Sequence, residues 1–249
     1  MASNPNTSLE LDDILSNTEI TRVVFDVAGN QLRQVITGTK KHETFVYPSK
    51  RFRRVHTGDT QTELLLNMHY EVHPQNLDFL PQPCRIEGTV FGKSHCALPD
   101  FAAVDIGRAP VLGEVKGDWG GFERPSALRQ RALTQKGAEY LGWDYAQVTP
   151  ASIGTETYVE NVREVQAHRF AHVSIRQEQS VIRALKLHGS LSVAALSREL
   201  DEGISRAQAL ICAMMVRRLV EVDMRRQLDE NSSVRLAPKR PFVFPRIRL

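Results

Sequence analysis

Cysteine is scarce in this chain, and membrane-length apolar runs, internal repeats and low-complexity tracts are missing from it. Its three cysteines, Cys84, Cys96 and Cys212, form neither a CxxC pair nor an even disulfide set. They read as small packing residues in a reducing cytosol. No run approaches the roughly 18–20 apolar residues of a membrane helix, so no membrane partner is expected. The opening MASNPNTSLELDDILSNTE has no apolar core and reads as a flexible lead-in, residues 1–19, not as a secretory signal. What is present is ordinary for a globular protein: 41% hydrophobic and 24% charged residues, enough for a real core in one large domain or two modest ones. The net charge of +3 is unevenly spread. Residues 205–249 carry ten Lys/Arg against four Asp/Glu, and residues 40–54 carry six against one. Such clusters fit either a polyanion footprint or a solvated basic face.

The chain divides into two textures. In residues 20–168, EITRVVFDV and QLRQVITG read as a hairpin about Gly29-Asn30. A helix follows near Gln61–Val72, with Leu65, Met68, His69 and Val72 at helical spacing. NLDFL, PCRIEGTVFG, HCALPDFAAV and APVLGEVK read as short strands. SALRQRALTQKGAEYLGW reads as a helix and DYAQVTP as a last buried strand. This order predicts an α/β domain with a mixed sheet. Residues 169–249 read as three helices and a hairpin, with Gly189 and Ser192 at helix ends, Ser205 as a further cap, and a turn at Asp229–Ser232. Three helices with a two-stranded wing predict a winged helix-turn-helix, which reads DNA through its third helix or binds protein. Arg206, Arg217, Arg218, Arg225 and Arg226 favour DNA.

The stretch LPDFAAVDIGRAPVLGEVKGDWG puts charge beside buried strands. If Asp100–Val104 and Pro110–Lys116 form a hairpin about Gly107, opposed residues sum to about 214 and Asp100 faces Glu114. Like charges so placed destabilise the pair unless a cation sits between them. Lys116, two residues beyond Glu114, shares its face, and Val115 points into the core. Two carboxylates and an ammonium at one strand end suit phosphodiester hydrolysis. A third acid, Glu63, opens the helix before the sheet; Thr60-x-x-Glu63 is equally a capping box. Around this set, Trp119 is placed to stack on or wedge a duplex. Gln130 and Lys136 lie within reach of a phosphate. His95 reads as an edge residue, His69 as a packed histidine and Asp105 as a turn residue.

GDTQTELLLNMHYEVHPQNLDFLPQP, PDFAAV and GEVK together resemble the TnsA-type endonuclease subunit of heteromeric transposases, over roughly residues 45–249. Glu63 is followed nineteen residues later by Gln82-Pro83; His73-Pro74 stands where that family usually has Asp-Pro. The resemblance implies a restriction-endonuclease-like PD-(D/E)xK core. In it, Glu63, Asp100, Glu114 and the Val115 carbonyl would hold one or two Mg²⁺ ions, or Mn²⁺, and Lys116 would orient the attacking water. It implies cleavage of the 5′ strand at transposon ends in double-stranded DNA, in the bacterial cytosol at the nucleoid. The implied partners are a DDE transposase, which handles the 3′ strand, and an AAA+ ATPase regulator. Two alternatives use the same residues differently: a stand-alone restriction or repair nuclease, and a non-catalytic winged-helix regulator.

Overall fold

FAAV and VLG, on either side of Gly107, are apolar without alternation, and both become strands covered on both faces. The computed structural model describes residues 10–33, 44–238 and 247. In chain order the elements are α1 (Leu11–Ser16), β1 (Thr18–Phe25), β2 (Phe45–Ser49), β3 (Arg54–Gly58) and α2 (Gln61–Val72). Then come β4 (Asn76–Pro81), β5 (Cys84–Val90), β6 (Lys93–Ala97), β7 (Phe101–Asp105), β8 (Val111–Val115), α3 (Pro125–Leu141) and β9 (Asp144–Val148). The remainder is α4 (Pro150–Ile153), α5 (Glu156–His168), α6 (Ile175–His188), β10 (Ser190–Ser192), α7 (Val193–Leu200), α8 (Ile204–Val216), β11 (Val220–Val222) and β12 (Ser233–Leu236). The result is an α/β fold in two compact units.

The first unit comprises the described residues among 10–33, 77–149 and 247. It holds an antiparallel sheet, β1-β5-β6, and a mixed sheet, β4-β7-β8-β9. In the mixed sheet β7 and β8 run antiparallel, while β8 and β9 run parallel. A parallel pair needs a crossover, and α3 supplies it. That helix starts on Pro125, whose missing N–H is harmless in the first turn, and ends on Gly142 at φ 68°. Leu128, Ala132, Leu133 and Ala138 of α3 join Ile86, Val90, Ala102 and Leu112 in one core. The approach is close enough that a Cβ on Gly137 would lie 2.5 Å from Ile86 Cδ1.

Two sequence expectations change here. Strand β1 pairs with β5; of the segment expected beside it, Gln31–Arg33 is not strand and residues 34–38 lie outside the described residues. In the stretch read as a flexible lead-in, Leu11–Ser16 form a helix that buries Ile14 in the core, and β1 already starts at Thr18.

The second unit contains the described residues among 44–76 and 150–238. Residues 44–76 and 150–168, grouped with the N-terminal domain on sequence texture, pack here. Hairpin β2–β3 lies beside α2, and α6, α7 and α8 are followed by a small antiparallel sheet ordered β10-β12-β11. Ser192 caps α7 and Gly189 closes α6, as their positions predict. Helix α8 is capped by Gly203, not Ser205, and α6 begins two residues earlier than Gln177, on a Ser174–Gln177 capping box. Asp229–Ser232 is a turn within a longer connection from β11 to β12.

From Ala209 to Val216 every residue of α8 is buried, and Leu210, Ile211, Cys212 and Met214 form the unit's core with α5 and α7. Its first turn, Ile204–Arg206, is exposed. No helix among the described residues is long and apolar enough to cross a membrane.

Candidate active site

The register of β7 and β8 is the predicted one: Phe101 pairs with Gly113, Ala102 with Leu112 and Ala103 with Val111, each summing to 214. Just before the ladder, Asp100 N–H donates to the Gly113 carbonyl at 3.0 Å. The Asp100 charge acts on Glu114, so the two carboxylates are neighbours at this end of the strand pair. Asp100 Oδ2 accepts the Val115 N–H at 2.7 Å, which fixes its carboxylate at the end of β8. Lys116 Nζ donates to Asp100 Oδ2 at 3.3 Å and to the Val115 carbonyl at 3.1 Å. Asp100 Oδ2 and the Val115 carbonyl thus already share one positive charge. The Lys116 stem is held by the 3-10 turn Trp119–Phe122: its ammonium lies 5.7 Å from the Phe122 ring centroid, and Gly121 leaves room for its methylenes. Asp118 secures that turn by accepting the Gly121 N–H at 2.8 Å.

Glu114 is 0% exposed. Its Oε1 accepts a hydrogen bond from Thr134 Oγ1 of α3 at 2.7 Å, while its Oε2 is buried and has no partner. Burial, reinforced by the Asp100 charge, pushes its carboxyl up to about 7, although the Thr134 bond and Lys116 pull the other way. A second fully buried glutamate among the described residues shows the contrast. Glu71, also 0% exposed, accepts from Ser49 Oγ and from the amides of Lys50 and Arg51, so it is a structural carboxylate with its acceptors in use. Leaving an acceptor buried and unmatched is costly, and such groups cluster where a ligand completes them. Among the described residues no group of three or more His, Cys, Asp or Glu side chains is arranged to hold a metal. The set that fits a hard cation is two carboxylates, Asp100 and Glu114, and the Val115 carbonyl, all oxygen donors.

A cleft of about 600 Å³ opens beside Asp100 and Lys116, lined also by Gln82, His95, Arg129 and Gln130. Gln82 sits at φ 43°, in the left-handed region directly before Pro83, where a non-glycine residue is strained. Its amide donates to the Asp100 carbonyl at 2.9 Å, and its own carbonyl accepts from Leu32 N–H at 3.0 Å. The Gln82-Pro83 element therefore supports the backbone that carries Asp100. Trp119 is exposed at 54% on the turn that packs Lys116. Lys136 is engaged by Glu139 at 2.8 Å and does not line the cleft; Arg129 is the α3 cation that does.

Glu63 belongs to the second unit, whereas Asp100, Glu114, Val115 and Lys116 belong to the first. Glu63 caps α2: its N–H donates to Thr60 Oγ1 at 3.1 Å, and its Oε2 accepts from the Asp59 amide at 3.0 Å, one residue short of a standard capping box. The arginines expected to touch DNA are partly occupied within the second unit. Arg218 donates to the carbonyls of Pro74 and Asn76, Arg217 pairs with Glu178 at 3.6 Å and Arg206 reaches the His172 carbonyl at 3.4 Å. Arg225 pairs with Asp223, and Arg226 is exposed. His69 is the packed histidine anticipated, sharing a 2.8 Å hydrogen bond with Tyr158 Oη. Sequence reading missed Thr134, Phe122 and Arg129. Thr134 had one signal, a polar residue four after Gln130 on an otherwise small, apolar face of α3.

No protein-family model matches the chain, and no curated protein matches it.

Proposed function

We propose that this protein is a metal-dependent DNA endonuclease. The observation that carries the reading is the buried Glu114 carboxylate, half unmatched, beside the Asp100–Lys116 pair at the end of β8. Strand pair β7–β8, crossover α3 and parallel β9 follow the order of a restriction-endonuclease-like core, and we read them so. Asp100, Glu114 and the Val115 carbonyl would hold Mg²⁺ or Mn²⁺. Such an ion activates water and neutralises charge on the scissile phosphate. Lys116, anchored by Phe122 and Gly121, presents its ammonium at that oxygen cluster, where it orients the water and stabilises charge on the pentavalent phosphorus. Burial raises the Glu114 carboxyl, and a bound cation would favour its ionised form.

In the second unit, α6, β10, α7, α8, β11 and β12 with sheet order β10-β12-β11 follow the order of a winged helix. With the rest of α8 buried, DNA contact falls to its exposed first turn, with Arg206, and to Arg225 and Arg226. The resemblance in the Glu63 to Gln82-Pro83 spacing, PDFAAV and GEVK supports a narrower role: cutting the 5′ strand at transposon ends beside a DDE transposase and an AAA+ ATPase.

The test is strand cleavage of transposon-end duplex DNA by the chain together with a DDE transposase subunit. Asp100→Asn should lower the 5′-strand rate on the order of 100-fold or more while the protein stays folded. Unchanged cleavage would remove the enzymatic reading and leave a DNA-binding regulator.

A further inference from the structure

The buried polar atoms without partners in the first unit gather around one carboxylate. Glu114 Oε2, Tyr145 Oη, Gln147 Nε2 and Arg131 Nε are all solvent-inaccessible and have no hydrogen bond within 3.5 Å, although the Gln147 side chain lies close enough to Tyr145 to lower the pKa of its hydroxyl. The register explains why they gather. In the parallel pair Glu114 stands directly beside Gln147, and Leu112 beside Tyr145, so Tyr145 and Gln147 share the face that carries Glu114. Arg131 and Thr134, one turn apart on α3, come from above: Thr134 bonds Glu114, and Arg131 is close enough to lower the carboxyl. Tyr145 in turn feels the charges of Glu114, Arg131 and Asp100, so these groups form one electrostatic neighbourhood.

A fold assembled only for stability would fill these positions with apolar side chains, because an unmatched buried polar atom is unfavourable. Here the donors lie beside an acceptor. Gln147 Nε2 carries two N–H groups and Tyr145 one O–H, against the open lone pairs of Glu114 Oε2. Resting on the metal-binding reading above, we infer that Gln147, with Thr134, is a positioning residue for Glu114. Thr134 holds Oε1 from the helix, and Gln147, directly beside Glu114 in the parallel register, would steady Oε2 from the neighbouring strand with a cation in place. Tyr145 supplies a second donor on the same side. The pair sets which Glu114 oxygen is presented towards Asp100 and how far it can swing. Neither side chain is expected to touch the cation or the substrate. Partners of this kind commonly change metal affinity by about 10–100-fold when removed.

The experiment is direct Mn²⁺ binding to the full chain without DNA, read by the electron paramagnetic resonance signal of free Mn²⁺, with unfolding temperature in EDTA measured beside it. Gln147→Leu should weaken Mn²⁺ binding by about 10-fold, and Thr134→Val by a similar factor. The unfolding temperature of Gln147→Leu in EDTA should be unchanged or higher, because an unmatched buried donor has been replaced by a methyl-bearing side chain. Gln147→Asn, which keeps the amide on a shorter stem, should recover only part of the affinity. A wild-type chain that binds no Mn²⁺ would refute the metal reading itself and this inference with it. A wild type that binds, with Gln147→Leu binding equally well, would refute the positioning role alone. Gln147→Leu losing affinity in proportion to a drop in EDTA unfolding temperature would assign Gln147 to packing and likewise overturn the inference.

Discussion

The Val115 amide donates to Asp100 Oδ2 at 2.7 Å, so the strand that carries Glu114 and Lys116 also fixes the carboxylate beside them. One backbone hydrogen bond therefore ties the two halves of the site to a common frame. The neighbouring residues on β8 have divided tasks: Glu114 faces α3, Val115 offers its carbonyl, and Lys116 returns to both Val115 and Asp100. Consequences for stability, titration and DNA binding follow from that division.

Glu114 has a folded-state pKa of about 7 against an ordinary 4.5. Between those values the folded chain keeps a proton that the unfolded chain has released, so stability falls as pH rises through pH 4.5–7 and stays lowered above it. The shift corresponds to a ceiling of about 3 kcal/mol. Glu114→Gln, which keeps an acceptor for Thr134, should therefore melt above the wild type at pH 8 in EDTA and by a much smaller margin at pH 4.5. Saturating Mg²⁺ should stabilise the wild type and not the variant. Equal margins at the two pH values would contradict a buried, proton-holding Glu114.

Two of the eight histidines should stay neutral in mild acid. Burial lowers His56 to about 4, against the pull of its Asn67 hydrogen bond, and lowers His69 to about 3, with the charges of His73 and Arg51 adding to the effect. Their contribution is present above pH 6.5 and is lost as pH falls towards 4 and 3, because the unfolded chain takes up protons that the folded chain refuses. Imidazole resonances should show His56 and His69 with flat shifts from pH 8 to 5. Eight curves with midpoints near 6.5 would contradict this packing.

Arg129 and Lys136 lie two turns apart on α3 and should behave differently. Arg129 lines the cleft with no ion pair or hydrogen bond among the described residues, whereas Lys136 is held by Glu139. Arg129→Ala should weaken duplex DNA binding and reduce the slope of log affinity against log salt by about 0.9, the value for one phosphate contact. Lys136→Ala should change neither by a comparable amount. The reverse pattern would move the DNA path off the cleft.

Much of this site was legible in the sequence because strand geometry is local. The 214 register follows from one turn at Gly107, and alternation then places Asp100, Glu114 and Lys116. Helix ends at Gly189 and Ser192 were equally local. What failed depended on partners distant in the chain. Strand β1 pairs with β5 some sixty residues on, because β5 offers an alternating face that β1 can cover. The burial of α8 could not be read from its arginines, since Arg217 and Arg218 lie just past its end while ALICAMMV is apolar on every side. Glu63 was ambiguous in sequence between capping and metal binding, and its bonds to Asp59 and Thr60 show the capping role in place. Gln147 was invisible as a partner of Glu114 until the parallel register set them side by side.

The central claim is that a divalent cation sits between Asp100 and Glu114. A crystal grown with Mn²⁺ and measured at a wavelength where manganese scatters anomalously tests it most directly. The account predicts an anomalous peak at about 2.2 Å from a carboxylate oxygen of Asp100, from Glu114 and from the Val115 carbonyl, with Lys116 displaced from Asp100 Oδ2. A peak elsewhere, or no peak while Lys116 keeps its bond to Asp100, would contradict it.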